Sequence, residues 1–318
     1  MAPEEFYEYL IYKHIPKANY KPMTEKESFL DNSILYYSDE RAFLFLGLRH
    51  QKLSDETIDA VSSIFKRFQP KTTFLEIDEN TPQSSIEKFV THEDEVGIGA
   101  RLSFLFGSKA LGINLPRATY MKILSEYDRK QYVGIELGVY WNFVSIYRYF
   151  KGSMLDKNSE EVYERTLDVL KWEFLNENGS LYSYKNQFLE LIKQYSQDIN
   201  FGIKAFIEHH NIKNTGRSFS EIKNYEELTV PFPYCVKYPI NKASAYLEAY
   251  RNAHIIERIL NELETTKSVA LVIGSGHVSE CKEPLREILS KRYNMEMKAL
   301  NEVIWGVFVF IIFDFYIE

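Results

Sequence analysis

Cysteine is scarce in this chain: Cys235 and Cys281 are the only two in 318 residues. Two thiols cannot build the disulfide framework of a small secreted domain, and they fit a reducing compartment. Nowhere do Lys and Arg gather into a run, and acidic residues outnumber basic ones by 45 to 38, for a net charge of −7. Such a chain gains little from releasing the counterions of a phosphate backbone, so nucleic acid is excluded as an expected partner. The start, Met1-Ala-Pro-Glu-Glu-Phe6, has neither the basic residues nor the apolar stretch of a secretory signal. Long apolar runs are missing too. The most apolar segment, Val303–Phe313, falls short of the ~18–20 residues of a membrane helix and is followed by Asp314. Its β-branched and aromatic residues read as a buried strand, or two joined at Gly306, or as the interface strand of a homo-oligomer. A cytoplasmic protein acting on a small molecule or peptide is expected, with no membrane partner.

What is present is core-forming material. Hydrophobic residues make up 45% of the chain, with 23 Tyr and 22 Phe, and rings of that number need a sizeable interior. Arg41–Leu48 (RAFLFLGL) is a continuous apolar run, as in a parallel strand covered on both faces. Ser54 can cap a following helix, with Asp55 and Glu56 in its first turn and Ile58, Val61, Phe65 and Phe68 as its stripe. Pro70 stops it, and Thr72–Ile77 is a second strand, completing a βαβ unit. The first forty residues read as a lead-in with a helix at Glu4–His14. Leu102–Lys109 and Ala118–Ser125 read as helices flanking a loop with Gly112 and Pro116, and Glu136–Phe150 as an interior helix. Near the C-terminus a long helix, Ala243–Leu263, feeds a strand, Ser268–Ile273, then a loop and a helix over Pro284–Arg292, with the apolar tail closing the sheet. The expected fold is α/β: a mostly parallel central sheet from βαβ units, with flanking helices and a helical insertion. Three regions follow: a first α/β half at 1–152, a helical insertion or cap at 153–230, and a second α/β half at 231–318.

Two segments echo each other. Phe43-Leu-Phe-Leu-Gly47-Leu-Arg-His50 and Ala270-Leu-Val-Ile-Gly274-Ser-Gly-His277 are each a buried-type strand ending in Gly-x-x-His. Composition alone, with 14 Gly and 7 His, would give about 0.3 such pairs. Gly lets the backbone turn at the sheet edge, and the His three residues on can point back over it. Parallel strands share one carboxyl edge, where ligands bind, so His50, His277 and the strand-end Glu76 converge there. Arg251 and His254 lie on one face of the long helix, with Arg258 a turn further. Imidazoles and a carboxylate at one edge suit general-base chemistry or metal ligation, with His50, Glu76 and His277 as the ligand set for one divalent ion such as Zn, Mn or Co. Arg251 is the candidate for steadying developing negative charge, and Arg49, His254 and Arg258 for binding substrate.

At these residues the chain resembles the superfamily of TraB/PrgY proteins, TIKI proteases, ChaN haem-binding lipoproteins and erythromycin esterases. The likeness lies in the two Gly-x-x-His motifs, the strand-end Glu and the Arg251-Asn252 pair, over residues 41–78 and 244–285. It implies an α/β fold with a site at the sheet edge and a hydrolytic reaction. That reaction is metal-dependent peptide cleavage in one branch and His-assisted ester or lactone cleavage in another, with His50, Glu76, Arg251 and His277 at motif positions. A further acidic residue from mid-chain is also implied, for which Glu95 and Glu136 are the candidates. A binding or regulatory module for a peptide or a haem-like ligand is the alternative on the same fold. Other motifs are weaker. Gly274-Ser-Gly276 lacks the third glycine of a dinucleotide fingerprint and the lysine of a P-loop. Cys281 and the adjacent His209 and His210 read as structural residues.

Overall fold

The computed structural model describes residues 29–48, 52–127, 129–153, 159–221, 228 and 237–303. Arg49 and His50, the expected helix at 4–14, Cys235 and the apolar run beyond Val303 lie outside the described residues. The chain divides into two compact units: Met1–Leu115 with Ala249–Glu318, and Pro116–Glu248.

The first unit is an α/β fold around a six-stranded mixed sheet. Its strands are β1 (Ser33–Tyr37), β2 (Ala42–Leu48), β3 (Thr72–Asp78), β4 (Lys109–Asn114), β5 (Ser268–Gly274) and β6 (Glu296–Ala299), in the order β4-β3-β5-β2-β1-β6. β4, β3, β5 and β2 run parallel to one another, and β1 pairs antiparallel with both β2 and β6. The βαβ unit expected at the start is present, through α1 (Asp55–Phe68), but its two strands are not neighbours. β5, from more than 190 residues later, sits between them, with Leu48 opposite Gly274 and Thr72 opposite Val269. The two Gly-x-x-His strands are therefore adjacent and in parallel register.

Alternation along each strand sorts the core into two layers, as period 2 requires. Phe43, Phe45, Phe74, Leu271 and Ile273 face one side, packed with Ile255, Ile256 and Ile259 of α9 (Pro239–Thr265) and with Val278, Cys281 and Leu285 of α10 (Ser275–Tyr293). Leu44, Leu46, Leu75, Ile77 and Val272 face the other, against Val61, Ile64 and Phe65 of α1, Ile86 of α2 (Gln83–Phe89) and Ile98 and Leu102 of α3 (Glu95–Leu105). At α1 the local signals act as read. Ser54 accepts the Thr57 amide at 3.3 Å, and the helix ends on Gln69 in the left-handed region.

Several expectations change. Ser33–Tyr37 is a core strand instead of part of a lead-in, and the described sixth strand is Glu296–Ala299, ahead of the tail. The helix placed at 102–109 lies at 95–105, and the supposed Gly112 loop is strand β4. Gly112 is there for closeness: a Cβ would meet the Asp78 carbonyl oxygen at 2.1 Å, where the β3–β4 register shifts. No loop separates β5 from its helix, because α10 starts at Ser275 and contains Pro284.

The second unit is helical. α4 (Arg117–Glu126) packs on α5 (Glu136–Ser153), and α5 on α6 (Ser159–Leu175), so the unit begins well before the residue 153 set by composition. α7 (Lys185–Lys193) and α8 (Ile199–Thr215) complete it, with Asp198 capping α8 through the Phe201 amide at 2.8 Å. Its interior is aromatic: Phe174 stacks on Phe188 with centroids 4.4 Å apart. No described helix is long and apolar enough to cross a membrane.

Candidate functional site

β3, β4 and β5 bring their carboxyl ends to one edge, and each delivers a polar group there: Glu76, Asn114 and the Gly274 amide. Glu76 alternates onto the face covered by α9 and α10. Its Oε2 accepts the Gly274 N–H at 2.6 Å, and its Oε1 is engaged by the Arg251 guanidinium. Arg251 also donates Nε–H to Asn114 Oδ1 at 3.0 Å. Arg251 thus forms a partly buried clamp on Glu76. Charge-assisted bonds of this kind are short and directional, and they offset the cost of burying a carboxylate.

His277 stands in the first turn of α10, three residues past the end of β5, and is 6% exposed. Its Nδ1 lies 2.8 Å from Asn252 Oδ1, and its Nε2 lies 3.5 Å from Glu76 Oε1. Asn252 in turn donates its amide hydrogen to Glu280. The site is narrow: the side chains of His277 and Glu76 keep 7% and 8% of their surface exposed.

The glycines of the paired motif work differently from the turning role expected of them. Gly274 has φ −57°, which any residue adopts. Gly47 instead makes room: a Cβ there would meet the Asn32 carbonyl oxygen at 2.3 Å, Val278 Cγ2 at 2.8 Å and Ser275 Cα at 3.1 Å. The first turn of α10, which carries His277, rests on that bare strand residue.

Of the other residues singled out, Glu76, Arg251 and His277 come together, and Arg49 and His50 fall outside the described residues. His254 and Arg258 converge on Glu79, just past the end of β3. The His254 Nε2 is 3.2 Å from Glu79 Oε2, outside hydrogen-bond alignment, and the Arg258 Nη1 is 3.4 Å from the same oxygen. Burial is the larger influence on His254 and pulls its pKa below the usual imidazole value, against the opposing pull of Glu79. Glu95 is buried at the start of α3, on the sheet face opposite Glu76, and Glu136 belongs to the second unit. His210 is buried, His209 exposed and Cys281 part of the core, in keeping with structural roles.

Sequence reasoning did not single out Glu280 or Asn114. A signal for Glu280 existed, since three residues beyond His277 on a helix is the same face. Asn252 was visible only as the neighbour of Arg251. Glu248 stands one turn before Asn252 on the unbroken helix α9, so its place beside them follows from the helix itself. Glu248, His277 and Glu280 each offer a ligand atom, all within 4.8 Å of one another, and this group could hold a metal ion. One imidazole and two carboxylates form a donor set that suits divalent transition metals. Glu76, expected in the ligand set, lies outside that group and is bound by Arg251 and Gly274.

Set against protein-family models, curated proteins and solved structures, the chain matches none.

Proposed function

We propose that this chain is a hydrolase that activates water at its His277–Glu76 pair to cleave an ester or a peptide bond, as its resemblance to the TraB/TIKI/erythromycin esterase superfamily suggests. One observation carries the reading: an imidazole and a clamped carboxylate face each other 3.5 Å apart at the carboxyl edge of parallel strands. His277 takes the proton from the attacking water through Nε2, and the fixed charge of Glu76 stabilises the imidazolium that forms. Arg251 serves by holding Glu76, since its Nε and one terminal nitrogen are already committed to Asn114 and Glu76. The proton on His277 then passes to the leaving alcohol or amine as the carbonyl bond breaks. In the metal-dependent form of the reaction, a Zn, Mn or Co ion held by Glu248, His277 and Glu280 would itself lower the pKa of water at the site towards ~7, and His277 would serve as ligand in place of base. His254 and Arg258, which both face Glu79 just past the end of β3, remain candidates for meeting substrate.

Turnover of nitrophenyl esters and a peptide panel, by the protein before and after chelation, tests the reading. His277→Ala is expected to lower kcat by roughly 10²–10⁴-fold, the usual contribution of a positioned base. Metal analysis is expected to find an ion that both His277→Ala and Glu280→Gln lose. Activity unchanged in His277→Ala rejects the assignment. A second reading, a module that binds a peptide or a haem-like ligand without turnover, is favoured by how little of His277 and Glu76 is exposed. Ligand-induced stabilisation without product distinguishes it.

A further inference from the structure

Asn252 lies between a carboxylate and an imidazole nitrogen, and its chemistry fixes what each can be. On one side is the Glu280 carboxylate, which when ionised only accepts hydrogen bonds. The Asn252 NH₂ must face it. The amide oxygen is thereby turned towards His277 Nδ1, 2.8 Å away. That oxygen also only accepts, so Nδ1 must carry a hydrogen. In the neutral imidazole the second nitrogen, Nε2, then holds the lone pair. Nε2 is the atom that faces Glu76, at a distance too long for a good hydrogen bond, and both Glu76 oxygens already have donors in Arg251 and the Gly274 amide. Glu76 therefore does not require a proton from the ring.

From this chain of contacts we infer that Asn252 is a positioning residue: oriented by Glu280, it holds neutral His277 in the Nδ1–H tautomer and leaves the lone pair, the site of base or ligand chemistry, on Nε2. The inference deepens the hydrolase reading, and in a functional sense rests on it, by naming which nitrogen works. Asn252 is buried, so solvent offers no competing partner that would release the amide to flip. Glu280 thus sets the tautomer through the amide of Asn252.

The tautomer is read directly from two-bond proton–nitrogen correlations of the full-length protein labelled with ¹⁵N-histidine, in chelator-treated buffer above neutral pH. His277→Gln identifies the ring by the signal that disappears. The expected wild-type spectrum shows His277 with a protonated Nδ1 and a bare Nε2. Asn252→Leu, close in shape but without donor or acceptor, should lose that pattern in favour of Nε2–H. Glu280→Gln, which keeps the packing and offers either amide end to Asn252, should give a mixture, and it is the variant read if Asn252→Leu does not fold. An Nε2–H ring in the wild type overturns the inference, as does an unaltered tautomer in either variant. Neither spectrum needs turnover. An Nδ1–H ring in an inactive protein therefore sinks the hydrolase reading alone, while an active enzyme with an Nε2–H ring sinks this inference alone.

Discussion

Replacing Gly47 by Ala adds one methyl group in the strand that supports His277, and its cost can be worked from three contacts. The new Cβ would lie 2.3 Å from the Asn32 carbonyl oxygen, 2.8 Å from Val278 Cγ2 and 3.1 Å from Ser275 Cα. Two of these are backbone atoms, which cannot rotate aside, and β2 is buried at every position. Overpacking a tight interior costs about 1–3 kcal/mol, and contacts with main chain belong at the upper end, about 3 kcal/mol. Gly107→Ala is the contrast: nothing lies within 4 Å of its Cβ, but its φ of +68° strains any side chain, at about 1 kcal/mol. Trimming Val278 to Ala in the Gly47→Ala background should recover only part of the loss, because the Asn32 oxygen stays in place. Urea unfolding of the three variants and the wild type measures each difference. A Gly47→Ala cost below ~0.5 kcal/mol, or full rescue by Val278→Ala, would refute the view that closeness to backbone dictates this glycine.

Arg251→Ala leaves the Glu76 carboxylate with a lost charge partner in a dry setting, and an expected loss of about 3–5 kcal/mol should appear in the same unfolding assay. A loss under ~1 kcal/mol would mark the pair as solvent-screened. His210 in the second unit is 1% exposed, and burial first, then Lys213 and His209, lowers its pKa from 6.5 to about 3. Because the unfolded chain binds this proton first, stability falls as pH drops from 6.5 towards 3, by about 2 kcal/mol between pH 7 and pH 5, and His210→Phe should flatten that slope.

The aromatic setting explains why His210 stays neutral. Its ring packs with Phe206, Tyr132 and Tyr140, and its described polar contact is with the Tyr195 hydroxyl at 3.4 Å. Adjacent histidines on a helix point apart, so the pair that invites a metal story from sequence is split between surface and core. Periodicity carried that much. The same holds for α1, where cap, stripe and stop were all legible because each is set by residues within one turn of another. β4 was not legible. KALGIN has few β-branched residues, and its Gly112 reads as a loop until β3 is seen to press against it.

What the sequence determined by itself is local: which stretches are buried on both faces, where α1 begins and ends, and that two strands close in Gly-x-x-His. These follow from side-chain period and backbone preference, which act over a few residues. Tertiary structure alone decided that β5 lies between β2 and β3, that Arg251 closes on Glu76 from 175 residues away, and that Asn252 joins His277 to Glu280. The partner of a charge or an imidazole depends on which strand ends share an edge and which helix covers them. That is settled by burying whole faces together, and no short stretch of sequence carries it.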